Sequence, residues 1–460
     1  FRFMETSEPL VMPVSKSFAQ RAIIAAALAE GTSHLHGYTP CGDNESALQV
    51  ARSLGAKVEV DGTEVTITGI GASTGCLDVP VMNVGESGLL ARMMIPLMAQ
   101  LGSSEVRFEA EKTLLNRPLT GSREIMEALG AEICPVSPDA APEGPVSVPL
   151  RVKGPLKEGR AEISGKHGSQ IISGLLMALP FAERNSSLIV KDPKSIPYIF
   201  ITLEVLKKFG VKIGNEMLGG RDFLKSDGDW SLCTEMVFKV RGGQKYKAAD
   251  IDLEGDWSAA ANFLVAGAVF GKAILKGLDT TSLQADLSVM DILMDAGASL
   301  SQLDGEKGGI TVQRAPLKAF NVDASNCPDL FPIISVLAAF CQGTSRLAGV
   351  GRLANKESDR AKAILEMLSQ MGVRASVEGD EMIIEGHSLA QRLLGGSPIG
   401  SGMTECALLK GGAYTSHHDH RMVMALKVAS LGADGPIIID DEECVAKSFP
   451  HFNEQYKALL

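Results

Sequence analysis

A break between an apolar helix and an apolar strand recurs six times along the chain and constrains its fold more than any other feature. The six breaks fall at Gly31, Gly102, residues 183–185, Gly271, Gly343 and Gly432. A second helix ends at five further glycines, which are Gly55, Gly130, Gly210, Gly297 and Gly372. Such self-similarity is the mark of an internal repeat. We therefore predict an α/β mixed fold with six copies of a strand–helix–strand–helix–strand–strand unit.

The sixth copy differs from the others because it has no second break. An apolar strand at the start of the chain, within residues 8–13, has no copy of its own. We expect this strand to complete the sixth copy, which would tie the N-terminus to the C-terminal half of the chain.

The first helix of every copy begins with a short polar cluster. The clusters lie at residues 15–17, 86–88, 168–170, 255–258, 328–329 and 419–421. Ser, Asp and Gly are ordinary helix N-caps, but capping does not account for Lys16, Gln170 or Arg421. Helix dipoles favour anions at N-terminal ends. If the copies pack in two groups of three, these helix starts could face a shared interface that favours anions.

The first cluster has the strongest anion-binding pattern. Ser17 and Arg21 are four residues apart and share one helix face, and Lys16 lies beside them. A hydroxyl, two cations and unpaired backbone N–H groups at one point predict a phosphate or carboxylate site. The alternative from these residues alone is a capped surface helix with a solvated Lys and Arg.

Composition limits the possible partners. The 460 residues are 45% hydrophobic and 22% charged, which suits about two domains with ample core. A net charge of −11 without a basic stripe argues against nucleic acid. The eight cysteines are scattered without metal-ligand spacing and indicate reduced thiols, hence a cytoplasmic protein. No long apolar run or signal-peptide pattern is present, so we expect no membrane partner.

Two later motifs carry concentrated charge. Residues 356–360 are predicted to open a helix on which Lys356, Glu357 and Arg360 are neighbours, with a surface ion-pair ladder as the alternative. Residues 417–420 read His-His-Asp-His, but adjacent ligands in one turn rarely close a tetrahedron, so we predict no metal.

Ten short motifs occur in the order seen in one known family. They are Ser15-Lys16-Ser17 with Arg21, Gly88 with Arg92, Arg117-Pro118, Ser169-Gln170, Ser195 with Pro197-Tyr198, Gly255-Asp256, Pro328-Asp329, residues 356–360, Asp419-His420-Arg421-Met422 and Lys447-Ser448-Phe449-Pro450. In these motifs the chain resembles the 5-enolpyruvylshikimate-3-phosphate (EPSP) synthase family. The resemblance covers nearly the whole chain and is thinnest at residues 1–10 and 214–248.

The resemblance implies a two-domain inside-out α/β barrel with three repeats per domain. Residues 14–252 would form the N-terminal domain, on the shikimate 3-phosphate side, and residues 1–13 with 253–460 the C-terminal one. The implied reaction moves the enolpyruvyl group of phosphoenolpyruvate to the 5-hydroxyl of shikimate 3-phosphate and releases phosphate, within chorismate and aromatic amino acid biosynthesis. No cofactor is implied. We expect a monomer whose domains close on the two small-molecule substrates.

The resemblance also implies site residues. Those for shikimate 3-phosphate are Lys16, Ser17, Arg21, Ser169, Gln170, Ser195, Tyr198, Asp329 and Lys356. Those for phosphoenolpyruvate are Lys16, Gly88, Arg117, Gln170, Arg360, Arg421 and Lys447. The addition–elimination needs an acid and a base, which we expect to be Glu357 and Asp329, with Lys16 sharing the proton transfers.

Three departures from the family pattern bear on affinity rather than on reaction type. Glu86 stands where an amide is usual, Gly168 where a phosphate-binding Ser is usual, and Ala354 where an Arg is common. One alternative is UDP-N-acetylglucosamine enolpyruvyl transferase, whose family carries a Cys in the loop that here, at 111–116, has none. The other is a non-catalytic ligand-binding homologue, which would be expected to lose Asp329, Glu357 or a cation.

Overall fold

The computed structural model describes residues 4–5, 8–302, 309–395 and 407–460. The chain forms two compact units. The central unit is Val14–Leu253, and the terminal unit combines Phe1–Pro13 with Glu254–Leu460. Both units contain helices and sheets, which confirms the prediction of a mixed α/β fold. Among the described residues, no helix has the length and apolar character needed to cross a membrane.

The helices of the described chain are of moderate length. In chain order they are α1 (Lys16–Leu28), α2 (Gly42–Ser53), α3 (Gly88–Leu101), α4 (Ser122–Ala128), α5 (Gln170–Ala178), α6 (Ile196–Lys208), α7 (Arg221–Lys225), α8 (Trp257–Phe270), α9 (Val289–Ala296), α10 (Phe331–Ala339), α11 (Arg360–Gln370), α12 (Leu389–Leu394), α13 (His420–Ser430) and α14 (Phe452–Lys457).

The strands are short. In chain order they are β1 (Met4–Glu5), β2 (Leu10–Val11), β3 (Thr32–His36), β4 (Lys57–Asp61), β5 (Glu64–Thr68), β6 (Val81–Asn83), β7 (Val106–Glu109), β8 (Glu132–Pro135), β9 (Leu150–Lys153), β10 (Gly159–Ser164), β11 (Ser186–Lys191), β12 (Ile213–Gly219), β13 (Cys233–Val240), β14 (Asp250–Asp252), β15 (Gly271–Lys276), β16 (Ser299–Gln302), β17 (Ile310–Gln313), β18 (Asn321–Asp323), β19 (Gly343–Ala348), β20 (Ala375–Glu378), β21 (Glu381–Gly386), β22 (Gly412–Tyr414) and β23 (Ile437–Ile439).

The central unit contains three four-stranded sheets with one shared topology. Their strand orders are β14-β3-β5-β4, β6-β7-β9-β8 and β10-β11-β13-β12. In each sheet the first two strands are parallel and the other neighbours are antiparallel. The buried apolar residues of all three sheets and their helices form one core cluster.

The terminal unit follows the same scheme with one smaller member. Its sheets are β18-β19-β21-β20, a sheet in which β1 and β2 both pair with β15 ahead of β17 and β16, and the two-stranded sheet β22-β23. Strands β22 and β23 are parallel. Helices α8, α10 and α13 pack against one another inside a single apolar cluster.

The prediction that the opening strand completes the sixth copy is wrong. Strand β2 pairs in parallel with β15, with Leu10 opposite Leu275, and β15 follows the first helix of the fourth copy rather than the sixth. The strand that precedes this helix, β14, pairs instead with β3 of the first copy. The parallel edge of β15 is therefore filled by the N-terminal strands, because β14 is used in the central unit.

The predicted helix starts are confirmed at the polar clusters. Ser15 caps α1 by accepting from the Phe18 N–H at 3.3 Å, and Ser87 caps α3 from Leu90 N–H at 3.1 Å. Asp256 caps α8 in the same way. Helix α8 is buried along its whole length, as expected for a helix that is apolar on all sides. The polar side chains of these buried helices lie mainly at their N-terminal ends.

Candidate active site

Arg21 is buried deep in the central unit and is held by neutral groups. Its side chain is only 1% exposed. Nε donates to Thr202 Oγ1 at 2.7 Å, Nη1 to the Ser17 carbonyl at 2.8 Å, and Nη2 to Ser173 Oγ at 3.1 Å. Burial lowers the pKa of Arg21 to about 10, and Tyr198 only partly offsets this. The partners bring α1, α5 and α6 together around one cation.

Lys16 is the first residue of α1 and pairs with a carboxylate. Its Nζ lies 3.1 Å from Asp43 Oδ2, and the Asp43 side chain is 4% exposed. Asp43 lies in the first turn of α2, where a carboxylate also interacts favourably with the helix dipole. The pair fixes the Lys16 ammonium at the N-terminal end of α1.

The start of α3 is packed against the loop that carries Arg117. A Cβ on Gly88 would lie 1.9 Å from Arg117 Nη2, so only glycine allows this approach. Arg92 Nη1 donates to the Gly88 carbonyl at 3.2 Å and to Gln170 Oε1 at 3.3 Å. Gly88 is therefore close to Arg117 and is joined to Gln170 through Arg92.

Glu86, the first departure from the family pattern, is tied to the same loop. Its Oε1 accepts a hydrogen bond from Thr113 Oγ1 at 2.6 Å. The loop backbone is also held to this segment, because the Glu111 N–H donates to the Gly85 carbonyl at 2.8 Å. The carboxylate therefore links residue 86 to the loop ahead of Arg117.

The remaining predicted residues of the central unit lie at the starts of α5 and α6. Ser169 is 2% exposed at the N-cap position of α5. Ser195 stands before α6 with φ +52°, and its carbonyl accepts from the Tyr198 N–H at 3.0 Å. Thr202 donates to the Tyr198 carbonyl at 3.1 Å, which connects this turn to Arg21. We call Lys16, Arg21, Arg92 and Arg117 with these polar neighbours the central cluster.

Arg360 is the hub of a different arrangement in the terminal unit. Its side chain is 1% exposed and meets three carboxylates. Nε lies 2.8 Å from Asp419 Oδ2, Nη1 lies 2.6 Å from Asp329 Oδ1, and Nη2 lies 2.8 Å from Glu357 Oε2. Asp419 is fully buried. One guanidinium therefore holds three acidic side chains from separate segments of the chain.

The predicted helical register of residues 356–360 is wrong. Helix α11 begins at Arg360, because Asp359 caps it by accepting from the Lys362 N–H at 3.3 Å. Lys356 and Glu357 lie in the preceding loop. Glu357 reaches Arg360 through the loop and the cap rather than along a helix face. Asp329 likewise lies in a 3-10 turn, Pro328–Leu330, just ahead of α10.

Three further cations lie beside these carboxylates. Lys447 Nζ lies 3.3 Å from Glu357 Oε1, Lys356 Nζ lies 3.9 Å from Asp329 Oδ1, and Arg421 Nη2 lies 3.7 Å from Asp329 Oδ2. The three guanidinium nitrogens of buried Arg421 make no hydrogen bond to any other described residue. We call Asp329, Lys356, Glu357, Arg360, Arg421 and Lys447 the terminal cluster.

Burial and neighbouring charges shift the pKa values of the basic side chains in the terminal cluster. Burial lowers the pKa of Lys356 to about 8, outweighing the attraction of Asp329. Burial also opposes the charge on Arg360, but Asp419, Glu357 and Asp329 together raise its pKa well above the usual value. The pKa of Arg421 is raised in the same way, and Asp329 makes the largest attractive contribution. The two arginines are therefore permanently charged.

A metal ion does not fit the acidic groups present here. Glu357, Asp419 and His420 offer ligand atoms within 4.8 Å of one another. However, Arg360 donates to both carboxylates, so these oxygens already neutralise a buried cation. His417 and His418, from the same His-His-Asp-His segment, pair with Glu366 and Asp441.

Sequence reasoning missed the residues that hold the predicted ones in place. Asp43, Ser173 and Thr202 are separated from their cations by between 27 and 181 residues, and no local pattern connects them. Asp419 is the first residue of the motif Asp419-His420-Arg421-Met422. Its position before the apolar helix α13 is an N-cap signal that the sequence shows. Its role as a carboxylate for Arg360 was not detectable, because that contact spans 59 residues.

The two clusters define the class of protein. Cations at helix starts suit polyanionic small molecules, and paired carboxylates among cations suit proton transfer. A model of the family "EPSP synthase (3-phosphoshikimate 1-carboxyvinyltransferase)" matches residues 6–456. The chain therefore belongs to the EPSP synthase family.

Individual relatives agree with this family. The chain is 34% identical over 456 residues to a 3-phosphoshikimate 1-carboxyvinyltransferase of Brachyspira hyodysenteriae, covering 98% of this chain and 96% of that protein. It is 33% identical over 453 residues to one of Clostridium botulinum, covering 97% and 94%. Its structure resembles that of EPSP synthase from Acinetobacter baumannii with a TM-score of 0.74, 26% identity and coverage of 100% and 96%.

Proposed function

We propose that this chain is an enzyme that transfers the enolpyruvyl group of phosphoenolpyruvate to the 5-hydroxyl of shikimate 3-phosphate and releases phosphate. Membership of the family supports the reaction. The observation that supports the proposal most strongly is that two carboxylates pair with the same guanidinium group, that of Arg360. Asp329 and Glu357 share Arg360, and each also faces a further cation, Arg421 or Lys447.

The central cluster is proposed to bind shikimate 3-phosphate. The positive charge of Arg21 meets only neutral hydrogen-bond partners among those described above, so it remains uncompensated and attracts a phosphate. Ser169, Gln170, Ser195 and Tyr198 supply hydroxyl and amide groups at the starts of α5 and α6. Lys16 and Ser17 add a cation and a hydroxyl at the start of α1. The family pattern adds Asp329 and Lys356 from the terminal cluster.

Phosphoenolpyruvate is proposed to bind the remaining cations. Arg421 is the clearest group for this role, because its buried nitrogens make no hydrogen bonds within the described chain. Arg360 and Lys447 lie beside the carboxylates that would act on the bound molecule. Lys16, Gly88, Arg117 and Gln170 complete the assignment from the central cluster.

The chemistry needs one proton to be added and one to be removed. The 5-hydroxyl oxygen bonds to C2 of phosphoenolpyruvate while Asp329 takes the hydroxyl proton. Glu357 donates a proton to C3. In the tetrahedral intermediate the Glu357 carboxylate then takes a proton back from C3, phosphate leaves with the proton held by Asp329, and the double bond is regenerated with both acidic groups in their starting states. Cations around the intermediate stabilise its negative charge.

Glu357 can act as an acid only if its environment changes on binding. Its carboxylate lies between Arg360 and Lys447. When phosphoenolpyruvate takes up these two cations, their attraction for the Glu357 carboxylate weakens. Substrate binding and activation of the acid are therefore proposed to be one event.

The finer structural expectations remain proposals of the same kind. The three sheets of the central unit and those of the terminal unit are proposed to form two inside-out barrels. The residues assigned to each substrate are divided between the units, so we expect both ligands together to compact the protein in small-angle scattering. The protein is also proposed to be a monomer, and the seven described cysteines are free, which suits the cytoplasm.

The test of the reaction is phosphate release. The purified chain is expected to release phosphate from phosphoenolpyruvate when shikimate 3-phosphate is present, and not when UDP-N-acetylglucosamine is present. Absence of release with shikimate 3-phosphate would overturn the proposed function.

The acid is tested by Glu357→Ala. We expect turnover to fall by about 10³-fold or more, because proton transfer typically contributes 10²–10⁴-fold, while shikimate 3-phosphate binding measured by calorimetry is almost unchanged. Glu378→Ala, on exposed Glu378 of β20, is the matched control and should be active. Loss of ligand binding in Glu357→Ala would show that the residue is structural.

A further inference from the structure

The two-stranded sheet of the terminal unit leads directly into two of the anion-binding cations. Strands β22 and β23 are parallel, with Tyr414 opposite Ile439 as their last pair. Past their carboxyl ends, β22 continues to Arg421 and β23 continues to Lys447. An isolated pair of strands is marginally stable, so the relative position of the two segments needs another source of order.

A latch of hydrogen bonds lies immediately beyond the two strands. The Ser416 N–H donates to Asp440 Oδ1 at 2.6 Å, and Ser416 Oγ lies 3.0 Å from both Oδ1 and the Asp440 carbonyl. The Asp440 N–H in turn donates to the Tyr414 carbonyl at 3.3 Å. Ser416 is fully buried. The two segments are thus joined at the first residues after the ladder ends.

The latch also organises the turn that leads to Arg421. Ser416 Oγ accepts from the His418 N–H at 3.2 Å, and its carbonyl accepts from the Asp419 N–H at 3.0 Å. His417 and His418 have positive φ values of 53° and 57°, a conformation that costs energy in residues other than glycine. Side-chain bonds around Ser416 hold this turn in place.

The second segment is equally constrained. Asp441, at φ +43°, begins the 3-10 helix Glu442–Lys447. Its carboxylate lies 2.6 Å from His418 Nδ1, which adds a second connection next to the first. Burial opposes ionisation of Asp440, but hydrogen bonds from Ser416 and Thr415 lower its pKa, so it is a carboxylate at neutral pH.

We propose that Asp440 is a positioning residue, which sets the distance between Arg421 and Lys447 through its bonds to Ser416. The inference rests on the proposed function, in which both cations hold phosphoenolpyruvate. Asp440 itself touches neither cation in the bonds described, so it acts through the two segments. This role requires an acceptor oxygen on the side chain of residue 440, because the donors of Ser416 are its backbone N–H and its hydroxyl.

The chain offers a closely matched control at the other end of the same strand pair. Asp434 Oδ1 accepts from the Gly411 N–H at 2.7 Å, so it also joins the two strands through a carboxylate and a backbone amide. Gly411 and Asp434 precede the strands, whereas Ser416 and Asp440 follow them. A general stabilising role would make the two aspartates equivalent, and a positioning role would not.

Steady-state kinetics separate these outcomes. Asp440→Ala is expected to raise KM for phosphoenolpyruvate about tenfold, as for loss of a charged hydrogen bond, with shikimate 3-phosphate affinity unchanged. Asp440→Asn keeps an acceptor oxygen and should restore KM to within about threefold. Asp434→Ala should leave KM unchanged, and melting temperatures of all variants are compared. Equal KM effects of Asp440→Ala and Asp434→Ala would overturn the inference.

Amide hydrogen exchange gives a readout that does not depend on turnover. Asp440→Ala should accelerate exchange in residues 415–421 and 441–447, and Asp434→Ala should not. Unchanged exchange in Asp440→Ala would overturn the positioning role even if the enzyme were active. If the wild type released no phosphate, the proposed function would fail, while the exchange result would still decide whether Asp440 orders the two segments.

Discussion

Arg21 and Arg360 are two buried arginines of the same exposure whose partners are opposite in kind. Both side chains are 1% exposed. Arg21 is held by two hydroxyls and a carbonyl, whereas Arg360 is held by three carboxylates. The pKa of Arg21 is lowered to about 10, and the pKa of Arg360 is raised well above its usual value. Burial is common to both, so the partners decide the direction.

This difference indicates what each cluster is built to do. A buried cation with neutral partners keeps an unbalanced charge, which a phosphate can neutralise. A cation surrounded by carboxylates is already balanced, and it fixes acidic groups that can exchange protons. The central cluster therefore suits binding of a polyanion, and the terminal cluster suits acid–base chemistry beside a second anion.

The comparison breaks if the two arginines prove equally important for stability. Arg360→Met should lower the free energy of unfolding by about 3–5 kcal/mol, because it leaves buried carboxylates without a counterion. Arg21→Met should cost about 1–2 kcal/mol, since its partners are neutral. Urea unfolding measures both. Adding Asp419→Asn to Arg360→Met should recover part of the loss, and failure to recover any would contradict the balanced-charge account.

The pH dependence of stability tests Lys356. Its pKa is lowered from 10.5 to about 8 by burial, so the unfolded chain binds more protons between these values and stability rises with pH across that window. Lys356→Met should flatten this rise, which is on the order of 1–3 kcal/mol. Lys362→Met, on exposed Lys362, is the control. An unchanged slope in Lys356→Met would show that the lysine is not the group responsible.

Asp43 tests whether a carboxylate partner in the central cluster serves catalysis. Asp43→Asn should lower kcat about tenfold, the effect of roughly one charged hydrogen bond on Lys16, with little change in shikimate 3-phosphate affinity. Glu45→Gln on the same helix, where Glu45 accepts from Tyr38, should behave like the wild type. If Asp43→Asn lost affinity instead of turnover, Asp43 would belong to the binding surface.

The smallest expected effect concerns Glu86. Glu86→Gln retains an acceptor for Thr113 and removes a negative charge from the start of α3, so KM for phosphoenolpyruvate should fall about two- to threefold. Glu111→Gln, which alters the neighbouring bond to Asn83, should change KM less. A rise in KM for Glu86→Gln would mean that the carboxylate helps to order the Arg117 loop.

Local patterns allowed much of the fold to be predicted. Glycine breaks and N-caps are set by residues within one turn of each other, and the helix starts at Ser15, Ser87 and Asp256 were correct for this reason. Two predictions were wrong, and they depended on long-range strand pairing and on which residue caps a helix. The opening strand was placed in the wrong copy, because strand pairing is decided by which edge remains unpaired. The helix at Arg360 began later than predicted, because Asp359 caps it.

The sequence by itself determined the mixed α/β class, the family motifs and the identity of the candidate acids and cations. Those properties follow from residue types at short spacing. Tertiary structure alone decided which charges are balanced, since Arg21 meets Thr202 across 181 residues and Arg360 meets Asp419 across 59. The strength of a charge depends on its partners and on exclusion of water. Both are properties of the packed chain and are absent from the sequence pattern.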